Sequence, residues 1–155
     1  QTIHERTARY IRRGYDLPVF ETAVSELRRR GIDVIVHTIL CLPGETKPDM
    51  LQTIQYLNRQ DIQGIKLQLL HILKDTDLAE IYASDPFPVP DPQEYYELLG
   101  SCISHLRPDI VIHRLTGDGP KELLTAPLWT CNKRQVLNQL QSYFKTHDIW
   151  QGKEY

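Results

Sequence analysis

The sequence contains few cysteines, and the three that it has are far apart. Cys41, Cys102 and Cys131 are separated by 61 and 29 residues. This spacing excludes the pattern of a disulfide framework and that of a compact metal knuckle. An iron–sulfur cluster with one open iron needs three thiolates on one short loop, and these cysteines do not form such a loop. We therefore expect three reduced, mostly buried cysteines that act as small apolar side chains.

Two further features are absent: an excess of charge and a long apolar run. The 18 basic and 20 acidic residues give a net charge of −2, which argues against a chain that binds polyanions over its whole surface. No apolar run approaches membrane-spanning length and no signal peptide opens the sequence, so we expect a cytoplasmic protein without a membrane partner. The 155 residues supply one core. The first residue is Gln1 rather than Met, from which we expect a segment of a longer protein.

The order of the apolar patterns predicts an α/β fold. Strands are expected at 33–40, 65–70 and 110–115, where β-branched and other apolar residues are concentrated. Helices are predicted from capping signals at Thr2, Thr46 and Asp91 and from Pro18, and further helices are expected near 77–83 and 132–147. Strands separated by helices pair in parallel through right-handed crossovers. The pattern predicts a partial (β/α) barrel with exposed edges, which we expect to self-associate through its open face.

The first predicted strand runs into the most informative segment of the chain. Residues 37–46 read HTILCLPGET, a strand followed by a tight Pro-Gly turn and the start of a helix. Such junctions lie at the carboxyl ends of parallel strands, where α/β proteins place their ligands. Strand alternation separates a helix-packing face from an open face, and the open face is predicted to carry Ile35, His37, Ile39 and Cys41. His37 could equally be a buried histidine that is hydrogen-bonded to its neighbours.

Polar residues mark the later strands and their carboxyl ends. Lys66 and Gln68 share one face of the second strand, and polar residues at such positions need a polar interior. Lys74 and Arg114 lie at or just beyond strand ends, and the loop at 116–120 has two glycines around an aspartate, which can offer backbone N–H groups to an anion. Lys74 could instead be a solvated loop lysine, and Gly-Asp-Gly is a common sequence in ordinary turns.

Several of these blocks together resemble one family. Residues 37–46 resemble the fifth-strand signature of radical S-adenosylmethionine (radical SAM) enzymes, in which hydrophobic-x-Gly-Leu-Pro-Gly-Glu-Thr ends a barrel strand beside the adenine. Blocks at 64–74, 113–120, 126–129 and 151–155 resemble those of YhcC-type radical SAM proteins, relatives of the MiaB-like methylthiotransferases and of the Elongator catalytic subunit. The Cys-x3-Cys-x2-Cys motif that binds the cluster in this family is absent from the sequence.

The resemblance implies a fold and a set of site residues. The fold would be the C-terminal half of a radical SAM barrel, of the TIM-barrel type, in a single domain 1–155 with a barrel portion 1–128 and a helical extension 129–155. The resemblance implies an S-adenosylmethionine (SAM) site formed by Gln1, Thr2, His37, Ile39, Cys41, Glu45, Leu70, His71 and Leu73. Lys74, Arg114 and Asp118 lie at or just beyond strand ends, where barrel enzymes gather their reactive groups, so we expect them to contact the substrate. Cys41 stands where the family usually has glycine, so we expect it to crowd the adenine.

The resemblance also implies an activity. The whole protein would be an oxidoreductase that uses SAM and a 4Fe–4S cluster bound by a missing N-terminal part, with modification of tRNA as one candidate reaction. This segment alone would be inactive, and the resemblance assigns no catalytic residue. Two alternatives remain open at this stage. One is a non-catalytic nucleotide-binding (β/α) module, and the other is an ordinary (β/α)-barrel hydrolase with Glu45 and His71 as acid–base groups.

Overall fold

A computed structural model describes all residues from 1 to 155 as an α/β arrangement. The helices are α1 (Glu5–Tyr10), α2 (Leu17–Arg29), α3 (Lys47–Leu57), α4 (Asp77–Ser84), α5 (Pro92–Ser104) and α6 (Lys133–Thr146). The strands are β1 (Ile35–Leu40), β2 (Gly64–Leu69), β3 (Ile72–Leu73), β4 (Val111–Arg114) and β5 (Leu124–Ala126). Short 3-10 turns cover Lys121–Leu123 and Leu128–Cys131.

The main sheet has three parallel strands in the order β1-β2-β4. The predicted parallel α/β fold is therefore confirmed, with strand ends that differ from the expected ones by one or two residues. The pairing of β2 with β4 shifts register between Ile65 and Lys66, so that Ile65 lies opposite Ile112 whereas Lys66 lies opposite Arg114. His113 is the extra residue of this irregularity, which brings Arg114 into line with Lys66.

A second, two-stranded sheet pairs β3 with β5 in antiparallel fashion. Ile72 lies opposite Ala126, and the Lys74 N–H extends the pairing by donating to the Leu123 carbonyl at 2.7 Å. The sequence did not predict this sheet, because strands of two and three residues are too short for alternation to be visible. The small sheet holds the segment after β2 close to the loop after β4.

Two of the predicted helix caps are confirmed and one is wrong. Capping boxes begin α3 at Thr46 and α5 at Asp91. The expected box at Thr2 does not form, since α1 begins after His4 without a side-chain cap. The Thr2 hydroxyl instead donates to Glu45 at 2.5 Å, and Glu5 accepts from the Leu17 N–H at 2.9 Å. Longer-range partners outcompete the local cap at this position.

The core lies on one face of the main sheet. Twenty buried residues form a single cluster between the strands and the helices α3, α5 and α6. Ile65, Leu67 and Leu69 of the central strand are almost fully buried there. Burial of each such side chain stabilises the fold by about 1.5–3 kcal/mol. Their neighbours in sequence, Lys66 and Gln68, point to the opposite face, where they are half-buried.

The last residues of the chain are hydrogen-bonded near the amino ends of the strands of the main sheet. The Gln151 side chain donates to the carbonyls of Arg107 and Ile110 at 2.8 and 2.7 Å. The Glu154 N–H donates to the Ser104 carbonyl at 2.8 Å. These bonds fasten the C-terminal segment to the turn that leads from α5 into β4.

None of the helices combines the length and the apolar character that a membrane crossing requires.

Candidate functional site

The carboxyl ends of the parallel strands bring separate segments of the sequence to one edge of the sheet. Gln1 lies beside β1, since its terminal amino group donates to the His37 carbonyl at 2.7 Å and its own carbonyl accepts from the Ile39 N–H at 3.0 Å. Leu70 continues β2, and its N–H donates to the Leu40 carbonyl at 3.0 Å. The structure thus places the predicted cofactor residues Gln1, His37, Ile39 and Leu70 on or beside the adjacent strands β1 and β2.

Thr2 and Glu45 form the most direct link across this edge. The Thr2 hydroxyl is buried and donates to the Glu45 carboxylate at 2.5 Å. Gly44 precedes Glu45 with a φ of 80°, a left-handed conformation that suits glycine and lets the turn close before α3. The bond fixes one oxygen of Glu45. A carboxylate has further lone pairs, so the other oxygen can accept a hydrogen bond from a ligand.

Cys41 departs from the arrangement that alternation predicts. The strand ends at Leu40, and Cys41 has a φ of 63°, a left-handed conformation that is costly for any residue with a Cβ. Its N–H points to the sulfur of Met50 at 3.1 Å, and its side chain packs against the core. Burial, with the nearby charges of Glu94 and Glu45, raises the pKa of the thiol to about 12. The expectation that Cys41 shares the open face is wrong, because the left-handed turn redirects its side chain.

His71 is enclosed by the glycine loop after β4. A Cβ at Gly117 would lie 2.5 Å from His71 Cε1, and one at Gly119 would lie 3.0 Å from His71 Nδ1 and 3.3 Å from Leu73. Both glycines therefore allow the loop to close over the imidazole ring. Burial lowers the pKa of His71, partly opposed by the charge of Asp118, and His71 Nε2 is buried without a hydrogen-bond partner. Sequence reasoning missed this packing role; the Gly-x-Gly spacing was the available signal.

The three predicted substrate residues do not form one cluster. Arg114 lies 3.8 Å from Asp118, but Asp118 pairs more closely with Lys133 at 2.9 Å. The hydrogen bond from Lys133 is the main reason why the pKa of Asp118 is lowered. Lys74 is apart from them, with its ammonium bound to the Glu122 carbonyl at 3.0 Å. Lys133 was missed because it lies at the start of α6, far along the sequence from Asp118.

The open face of the sheet carries further polar side chains below the strand ends. His37 lies opposite Lys66, and Lys66 lies opposite Arg114. Gln68 Nε2 is 3.5 Å from His37 Nδ1. Partial burial of the ring, and then the positive charges of Lys66, Arg114 and the terminal amino group, lower the pKa of His37. The interpretation of His37 as a fully buried histidine is wrong, since its side chain is exposed on this face.

The chain has no group of three or more His, Cys, Asp or Glu side chains that could hold a metal ion. The three cysteines are unpaired and lie after β1, within α5 and in the last 3-10 turn. Burial is also the main cause that raises the pKa of Cys102 to about 12. A cluster ligand must be a thiolate, so these residues do not fit an iron–sulfur cluster. The strand-end residues do fit a nucleoside, with a free carboxylate oxygen at Glu45 and apolar side chains at Ile39 and Leu70.

Comparison with known proteins identifies the family. The model of the Radical_SAM C-terminal domain matches residues 62–146, which is more than half of the chain. The chain therefore belongs to the radical SAM family. Within the family it is of the YhcC type. It is 37% identical over 153 residues to the uncharacterized protein YtqA of Bacillus subtilis and 31% identical over 149 residues to protein YhcC of Escherichia coli K12. These alignments cover 99% and 96% of the chain but 48% of each relative, so the chain spans about half of their length.

A solved structure shares the fold. The archaeal Elp3 of Methanocaldococcus infernus, with an N-terminal deletion of residues 1–46, superimposes with a TM-score of 0.82 over 97% of this chain and 35% of that chain. The sequence identity is 14%, so the likeness concerns the fold alone. It confirms that the three parallel strands and their helices correspond to the C-terminal part of the radical SAM fold.

Proposed function

We propose that this chain is the C-terminal part of a radical SAM iron–sulfur oxidoreductase and that its strand ends bind SAM. The observation that carries the proposal is the Thr2–Glu45 bond at the edge of the sheet, in a chain of this family. Within a single domain, residues 1–128 are the barrel portion and residues 129–155 are a helical extension. In this proposal the whole protein acts in the cytoplasm.

Each strand-end residue has a role in this proposal. The free oxygen of Glu45 accepts a hydrogen bond from the ribose of SAM, while Ile39 and Leu70 contact the adenine. Gln1 and Thr2 lie beside the ribose and methionyl part, and the segment from His71 to Leu73 lines the adenine with backbone groups. When bound, SAM and a 4Fe–4S cluster together supply a radical that abstracts hydrogen from a substrate.

The cluster belongs to another part of the whole protein in this proposal. The cysteines of the chain are far apart and two of them have raised pKa values, which supports a cluster site outside residues 1–155. The chain alone is then inactive, and we expect it to self-associate through its open face. We extend the proposal to nucleotide substrates, with tRNA among them, on the strength of the family resemblance.

The alternative of an ordinary hydrolase is not favoured by the geometry. An acid–base pair must reach a substrate proton, but the His71 ring is enclosed by Gly117 and Gly119. Glu45 is bound to Thr2 rather than to His71. The non-catalytic nucleotide-binding module uses the same strand ends, so only an experiment separates it from the radical SAM enzyme.

SAM binding to the whole protein, with its cluster reconstituted, tests the proposal. Glu45→Gln should weaken SAM binding in calorimetry up to about tenfold, since the amide oxygen still accepts a hydrogen bond but a neutral bond contributes about 1 kcal/mol instead of about 1.5–3 kcal/mol. Glu122→Gln, which changes an exposed carboxylate in a 3-10 turn, is the matched control. Formation of 5′-deoxyadenosine by the wild-type protein separates the enzyme from the binding module. Equal SAM affinity in both variants would contradict the assignment of Glu45.

The substrate residues are tested in the same protein. Lys74→Ala and Arg114→Ala should keep the fold and the cluster content but reduce substrate-dependent formation of 5′-deoxyadenosine, because each removes a charge that can orient an anionic group. The loss at sub-saturating substrate should be about tenfold or more. Wild-type turnover in both variants would mean that these residues are solvated surface charges.

A further inference from the structure

Three cationic or titratable side chains lie in one row across the open face of the main sheet. The register places His37 of β1 opposite Lys66 of β2, and Lys66 opposite Arg114 of β4. Neighbouring strands are about 4.8 Å apart, so the row spans roughly 10 Å between its outer Cα atoms. Partial burial is the main cause that lowers the pKa of His37, and the positive charges of Lys66 and Arg114 lower it further.

No acidic residue of the sheet compensates this row. The three strands contain no Asp or Glu. Arg114 has one carboxylate nearby, that of Asp118 at 3.8 Å, and Lys133 holds that carboxylate at 2.9 Å. Lys66 makes no hydrogen bond and no ion pair within the chain, and the His37 ring has only Gln68 at 3.5 Å. The positive charge of the row is therefore free to bind an anion.

The pairing of β2 with β4 places the positive charges of Lys66 and Arg114 opposite each other, which is unfavourable unless an anion binds beside them. Like charges directly opposite each other on adjacent strands destabilise a sheet, whereas opposite charges stabilise it. The irregularity at His113 is what brings Arg114 opposite Lys66.

We propose that His37, Lys66 and Arg114 bind a phosphate group of the substrate on the inner face of the sheet. The guanidinium of Arg114 offers two parallel N–H donors, the ammonium of Lys66 is a point charge, and His37 becomes a third cation when an anion lies beside it. This set matches the two negative charges of a phosphate monoester better than the single charge of a carboxylate. The assignment rests on the proposed function, since it takes this face as the interior of the barrel and names the class of substrate. It moves His37 from the cofactor site that the family resemblance implies to the substrate site.

The NMR titration of the His37 ring in the 155-residue protein tests this site, with inorganic phosphate as the probe. Phosphate should raise the pKa of His37 towards its ordinary value of about 6.5, because a bound anion stabilises the protonated ring. Acetate at the same ionic strength should change the pKa of His37 little. Lys66→Gln and Arg114→Gln should each weaken phosphate binding about tenfold, as expected for one lost charge-assisted hydrogen bond. Lys145→Gln, an exposed lysine on α6, is the matched control.

Thermal unfolding, first in phosphate-free buffer and then with phosphate added, provides an independent test of the row of positive charges. Lys66→Gln should unfold at the wild-type temperature or above it, because it removes repulsion, and phosphate should stabilise the wild-type protein more than this variant. An unchanged pKa of His37 in phosphate, an equal effect of acetate, or equal loss of phosphate binding in Lys145→Gln would overturn the inference.

SAM affinity of the whole protein separates this inference from the proposed function. Lys66→Gln should leave SAM affinity unchanged, since the row binds substrate. A loss of SAM affinity as large as the loss of phosphate affinity would assign the row to the cofactor and overturn the inference. A wild-type protein that binds phosphate at the row but binds no SAM would instead refute the proposed function.

Discussion

Replacing Cys41 by glycine tests the least favourable backbone conformation at the candidate site. Cys41 has a φ of 63°, where an L-residue with a Cβ is disfavoured by roughly 1–2 kcal/mol. Glycine adopts this conformation without steric cost, but it loses about 0.5–1 kcal/mol more conformational entropy on folding. The substitution also removes a partly buried thiol that packs against the core, a loss of about 1 kcal/mol. These contributions nearly cancel, so Cys41→Gly should change stability by about 1 kcal/mol or less.

The difference in stability between glycine and alanine at position 41 isolates the cost of a Cβ in the left-handed conformation. Cys41→Ala loses the same sulfur but keeps the Cβ in the left-handed conformation. Alanine should therefore be less stable than glycine at position 41, by roughly 0.5–1 kcal/mol. Cys131 is the matched control, because its φ is not positive. There the order should reverse, with glycine less stable than alanine by about 0.5–1 kcal/mol.

Urea unfolding, followed by the fluorescence of the two tryptophans, measures these differences. In thermal unfolding of a chain of this size, a difference of 1 kcal/mol in the free energy of unfolding would change Tm by roughly 2–4 °C. If alanine were more stable than glycine at both positions, the left-handed conformation at Cys41 would not control its stability.

Three further changes have definite expected results. Gly117→Ala places a Cβ 2.5 Å from the His71 ring and should destabilise the protein by about 1–3 kcal/mol in urea unfolding, whereas Gly119→Ala, with a 3.0 Å contact, should cost less. Lys133→Gln should raise the pKa of Asp118 in a carboxyl NMR titration. In the wild-type protein, the stabilisation from Asp118 should be fully present above its unfolded pKa of about 3.9. It should be lost as the pH falls through the lower pKa of the folded state. After anaerobic incubation with iron and sulfide, the desalted chain should contain no stoichiometric iron; a brown cluster would contradict our view of the three cysteines.

Local signals predicted most of the fold. The caps at Thr46 and Asp91 succeeded because every partner lies within three residues. The cap at Thr2 failed because its hydroxyl bonds to Glu45, 43 residues away, which no local pattern can indicate. The pairing of β3 with β5 was not predicted for a related reason, since its strands are too short to show a period.

The candidate site was less predictable than the fold. Alternation correctly placed Lys66 and Gln68 on one face of β2, because period-2 geometry needs only the local sequence. Their alignment with His37 and Arg114 depends on the register of three strands and on the irregularity at His113, which only the folded sheet defines. The left-handed conformation of Cys41 was likewise invisible, since cysteine gives no signal for it.

The blocks of sequence that resemble the family lie at two opposite ends of the main sheet. Gln151 and Glu154 bond to the turn before β4, at the amino ends of the strands, whereas Glu45 and His71 lie at the carboxyl ends. In barrels the amino ends serve stability and the carboxyl ends carry the chemistry. A chromophore or affinity tag joined after Tyr155 would accordingly sit at the far end of the sheet from any bound ligand. The same separation means that a damaged tail should reduce the amount of folded protein while the molecules that do fold keep their ligand affinity.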